Sequence, residues 1–167
     1  MSIYHLFRWL GHTSFSILIR RSTWAFATIE IVHLLGLAIL GGAILIVDLR
    51  LLGVGMRRQS VSRTARELLP LLLSGLGAML VSGALMLSAF PMKYYHSPAF
   101  RLKMVLLLLA IGFYFTLHLR VVKPSADDGA ETRPSIWSKA AALASLALWL
   151  GVGLAGRAIG FFGAIPI

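Results

Sequence analysis

Residues 30–53, EIVHLLGLAILGGAILIVDLRLLG, constrain this chain more than any other stretch. A helix rising about 1.5 Å per residue needs about 20 mostly apolar residues to cross the hydrocarbon of a bilayer. The run supplies them, yet it carries Glu30 and His33 near one end and Asp48 and Arg50 near the other. With Asp48 and Arg50 at one boundary, Glu30 lies about 30 Å away at the other and His33 roughly 5 Å inside it. Ionisable groups at such depths are costly and face a protein interior or a watery cavity.

Three more apolar runs follow, at about 68–90, 99–122 and 136–158. With 58% hydrophobic and only 13% charged residues, the chain lacks the charge that a soluble domain exposes. The net charge of +10 falls in the gaps between apolar runs, as loop charges do, and no recognition motif remains to bind bases. A nucleic-acid partner is therefore rejected and the bilayer is the expected partner. The expected fold is an all-α, polytopic four-transmembrane-helix bundle. Residues 1–23 form an N-terminal amphipathic interfacial helix in this reading, with Leu6, Trp9, Leu10 and Ile17 on one face and Trp9 and Trp24 in the headgroup layer. Residues 24–167 form the transmembrane domain. Polar groups interrupt residues 4–21 too often for a cleavable signal peptide. Absence of cysteine excludes disulfides, thiol catalysis, iron–sulfur clusters and covalent haem attachment.

Small residues four apart predict helix-packing seams at Ala38 and Gly42, where Gly36 and Gly41 add small surface, at Ser74, Ala78 and Ser82, and at Gly151 and Ala155, then Gly156 and Gly160. Residues 51–66 read as a basic loop, Pro70 as a first-turn proline, 91–98 as an aromatic connection and 124–134 as a soluble loop. The loop at 51–66 is the densest basic segment, so the positive-inside rule places both termini outside.

The outer-side cluster is the best candidate site. Glu30 and His33 are three residues apart and share a helix face. Lys103 and Arg157 enter from the third and fourth spans at a similar predicted depth. Such a set can place an imidazole on a haem iron and two cations on its propionates, or hold a quinone head or an anionic substrate. The plain alternative is a structural network, with Glu30 paired to Lys103 or Arg157 and His33 bonded to a carbonyl. If haem binds, His33 is the expected iron ligand, Gly36 offers room for the macrocycle, and His96 from the second loop is the available sixth ligand. Lys103, Tyr114 and His118 fall on one stripe, but His118 lies about 22 Å along the helix from Lys103, too deep to share an iron with His33. Asp48 and Arg50 read as a boundary pair aided by snorkelling, and Met79 and Met86 as packing residues.

Several short motifs carry a resemblance: HLLGL at 33–37, DLRLLG at 48–53, FRLK at 100–103 and GR at 156–157. They resemble an uncharacterised group of small bacterial four-helix integral membrane proteins. That group is distantly similar to copper-resistance-D-like and bacterial protoporphyrinogen-oxidase-like membrane proteins. The resemblance implies a four-helix fold in a bacterial inner membrane and haem b as a cofactor, without identifying a reaction. The leading expectation is a small redox-type subunit that binds haem b or a quinone near the outer membrane face. The alternatives are a non-catalytic accessory subunit of a larger complex or homo-oligomer, and transport of a small ion or metal.

Overall fold

In the computed structural model the described residues are 3–54, 61–121 and 135–162, with the side chains of 3, 118–121 and 162 left aside. They form seven helices: α1 (Ile3–Gly11), α2 (Ser14–Arg21), α3 (Thr23–Leu52), α4 (Val61–Ala89), α5 (Pro91–His96), α6 (Pro98–Val121) and α7 (Ile136–Phe162). Four of them, α3, α4, α6 and α7, are long and apolar enough to cross a membrane.

Local chemistry sets the boundaries. The expected single interfacial helix is two helices, because Thr13 interrupts it. Its hydroxyl donates to the Leu10 carbonyl at 2.8 Å, closing α1, and accepts from the Ser16 amide at 3.3 Å, opening α2. Ser22 caps α3 through the Ala25 amide. Gly53 ends α3 in the left-handed region at φ 82°, with its amide on Arg50 O and the Val54 amide on Leu49 O. Pro91 and Pro98 sit in first turns, where a missing N–H costs least.

Two expectations about the second span change. Helix α4 starts at Val61, so the last six residues of the expected 51–66 loop are helical, and Pro70 lies in the helix interior rather than its first turn. One i→i−4 backbone bond is therefore missing inside α4. The soluble loop expected at 124–134 lies outside the described residues.

The four long helices pack as two antiparallel hairpins. Helix α3 packs most extensively on α4 and α6 on α7; α3 also meets α7, whereas α4 touches α6 only lightly. The core runs along the shared centre through Leu40, Ile44, Leu72, Met79, Leu107, Tyr114 and Val152. Outward faces carry Ile31, Leu34, Leu35, Val81, Leu108, Leu143 and Leu154, all exposed and all suited to acyl chains.

The tightest approach is between α3 and α4. A Cβ built on Gly75 would stand 2.8 Å from the Leu40 amide nitrogen and 3.0 Å from Gly36 O, and one on Gly36 would stand 3.1 Å from Gly75 O. The seam therefore runs through Gly36 and Gly75. Gly42, predicted to lie in it, faces open space. Gly36 is filled by the α4 backbone and offers no room for a macrocycle.

Candidate functional site

His33 sits on α3 and points at α4. Its Nδ1 is 2.9 Å from Ser82 Oγ. Ser82 Oγ in turn lies 2.5 Å from the Ala78 carbonyl oxygen, to which only the hydroxyl hydrogen can be donated. The Ser82 oxygen is then the acceptor and His33 Nδ1–H the donor, and the backbone of Met79 also interacts with the ring. In the neutral imidazole this places the proton on Nδ1 and the lone pair on Nε2. Gly83 makes space for the ring: a Cβ there would stand 3.3 Å from His33 Cε1.

Lys103 reaches the same region from α6. Its ammonium nitrogen lies 3.4 Å from where a Cβ on Gly156 of α7 would be, so Gly156 forms a shallow bed for the side chain. The ammonium is close enough to His33 to act on it electrostatically. Among the described residues, no hydrogen bond or ion pair engages Lys103. The site thus presents one basic imidazole nitrogen and one unpaired cation.

The other predicted members lie apart. Glu30 is exposed, and the ion pair expected with Lys103 or Arg157 is not formed; among the described residues the salt bridge is Arg63–Glu67, on the surface of α4. Glu30 is offset from His33 by about 60° around α3, enough to turn it outward while His33 faces α4. Its charge acts instead on Tyr94 of α5. Burial first, and the Glu30 carboxylate second, push that phenol above its ordinary value. Arg157 is exposed, with its guanidinium 5.1 Å from the centroid of the Phe161 ring. His96 is exposed on α5 and packs edge-on against Tyr95. The side chain of His118 lies outside the described residues. Among the described residues no group of three or more His, Cys, Asp or Glu is placed to hold a metal ion. A single imidazole beside one cation is not a chelating set for a bare metal ion.

Sequence reasoning misplaced Asp48. It is not a boundary residue paired with Arg50: it is 0% exposed, and among the described residues neither carboxylate oxygen has a hydrogen-bond partner. Ser145 of α7, 1% exposed, interacts with it in a contact too loose for ordinary hydrogen-bond geometry. Tyr114 of α6, 3% exposed, lies within electrostatic reach. The indole N–H of Trp149, one turn beyond Ser145, is also buried with no hydrogen-bond partner among the described residues. A carboxyl group thus stands among hydroxyls from two other helices, in the half of the bundle that holds the C-terminal end of α3.

Helices of this length and composition, around one shared core, define a polytopic all-α membrane protein. A model of a family of unknown function, DUF6644, matches residues 6–162, and the chain belongs to that family. No curated protein and no solved structure matches it.

Proposed function

We propose that this protein is a small redox-type membrane component that binds haem b or a quinone through His33 and Lys103 near the outer membrane face. The observation that carries the reading is the His33–Ser82–Ala78 relay. Here a hydroxyl with its own hydrogen committed to a carbonyl holds Nδ1 as donor and leaves Nε2 as the basic atom. Metal-ligating histidines are held this way, by a bond from the second ring nitrogen. His33 would hold a haem iron through Nε2, and the haem would supply one-electron chemistry when bound. For a quinol, Nε2 accepts a hydroxyl proton while Lys103 stabilises the oxygen that loses it.

In this account the protein lies in a bacterial inner membrane with both termini outside, which sets His33 and Lys103 in the outer half. Organic extraction of purified protein, followed by mass spectrometry, tests the proposal. Haem b or a quinone at about one molecule per chain is expected, and extracts free of both would reject it.

A second reading, movement of a small ion, draws on Asp48. A fully buried carboxyl with unbonded oxygens is expensive, and intramembrane acids of this kind mark ion pathways. It ranks second because four spans with no broken helix pair are a poor match to known transporter designs.

A further inference from the structure

A pocket of about 230 Å³ lies where α4 ends and α5 begins, under the α1–α2 hairpin. Phe90, Pro91 and Met92 give it apolar wall, and Arg8, Arg20 and Lys93, all exposed, surround it with positive charge. Among the described residues, no acidic residue lines it. Gly11 lets the hairpin close one side, since a Cβ there would meet Pro91 Cγ at 3.1 Å. Arg20 Nη2 donates to Gly11 O at 2.7 Å, which holds one corner of its guanidinium at the α1–α2 junction and leaves its other N–H groups available.

We propose that this pocket binds the headgroup of an anionic phospholipid. The charge is one-sided, so the occupant is an anion. The wall is apolar, so the anion is amphiphilic. The pocket stands at the end of a membrane span, and the hairpin beside it exposes Leu6, Trp9, Phe15 and Leu18, side chains suited to the headgroup and upper acyl region. Lipid phosphates lie at this level, and a lysine or arginine near the surface adds to anionic-lipid attraction.

The test uses the full chain in nanodiscs of phosphatidylcholine with spin-labelled phosphatidylglycerol as the probe. Wild-type protein is expected to immobilise phosphatidylglycerol in preference to spin-labelled phosphatidylcholine. Lys93→Gln should weaken that preference about fivefold, the equivalent of about 1 kcal/mol, and Arg8→Gln with Lys93→Gln about 25-fold. Arg21→Gln removes a cation from the same helical hairpin but outside the pocket, and should change the preference less than twofold. Circular dichroism on each variant confirms folding, and Lys93→Gln, at an exposed side chain, remains informative if the double variant fails to fold. Equal losses in Lys93→Gln and Arg21→Gln would mean a diffuse charge belt and overturn the proposal. Displacement by inorganic phosphate without any lipid preference would overturn it in favour of a soluble anion.

Discussion

His33 Nδ1 and Ser82 Oγ meet at 2.9 Å across the α3–α4 interface, just beyond the glycine seam that brings these helices together. Ser82 is a positioning residue in this arrangement. Ser82→Ala removes the hydroxyl that Nδ1–H donates to. Retention of haem or quinone during purification is expected to fall 10–100-fold, the usual cost of losing such a support. Ser82→Thr, which keeps the hydroxyl, should restore it. Equal retention in wild type and Ser82→Ala would separate the relay from binding.

The seam itself predicts a sharp contrast between two glycines of α4. Gly75→Ala forces a methyl to 2.8 Å from the Leu40 amide nitrogen, and backbone must move. A loss of about 1–3 kcal/mol is expected. Gly77 has nothing within 4 Å of its Cβ position, so Gly77→Ala should be neutral or slightly stabilising. Thermal unfolding in detergent measures both. Equal effects would contradict the packing described.

Asp48 is expected to cost the folded bundle stability, because its carboxyl is buried without a hydrogen bond among the described residues. Asp48→Val replaces the carboxyl by an apolar group of similar size and removes two buried oxygens that lack hydrogen bonds. The folded bundle should gain about 1–3 kcal/mol. A lower melting temperature would show instead that the carboxyl is a structural tie. A gain in stability combined with loss of ion flux in proteoliposomes would favour the ion-transport reading.

Tyr94 gives a pH dependence outside the spans. Burial and the Glu30 charge raise its folded pKa, so the folded state holds the proton more tightly than the unfolded chain. The associated stability is complete below the unfolded value and is lost as pH rises from about 10 through the folded value. Tyr94→Phe should flatten this alkaline edge. Unfolding midpoints of the two proteins between pH 8 and pH 11, scanned in steps of about half a unit, provide the check; parallel curves would contradict it.

The four spans were legible because each is a long apolar run, and the shared inward face of Lys103 and Tyr114 followed from helical periodicity. The inward face of α3 was not, because the helix is apolar nearly all round and periodicity has nothing to contrast. That ambiguity centred the expected seam on Ala38 and Gly42, with Gly36 only as added small surface, and sent Asp48 to the boundary. The signal for Asp48 was nonetheless present. Residues two apart on a helix do not face each other, so Asp48 and Arg50 were poor partners. Asp48 is also four residues from Ile44, eight from Leu40 and twelve from Gly36, all on the buried stripe. The start of α4 was missed because its arginines resembled a loop, although Arg, Ala, Glu and Leu are strong helix formers. Thr13, a preferred capping residue, marked the break between α1 and α2. The Ser82 relay needed the third dimension, since 49 residues separate its partners.

The most direct test of the central claim is the visible absorption spectrum of protein purified from haem-replete cells, recorded for wild type, His33→Ala and His118→Ala. With haem bound at Nε2 of His33, wild type and His118→Ala show a Soret band and His33→Ala does not. If a quinone occupies the site, none shows the band, and quinone co-purifies with wild type and His118→Ala only. A Soret band that persists in His33→Ala, or wild-type protein carrying neither haem nor quinone, would contradict the account.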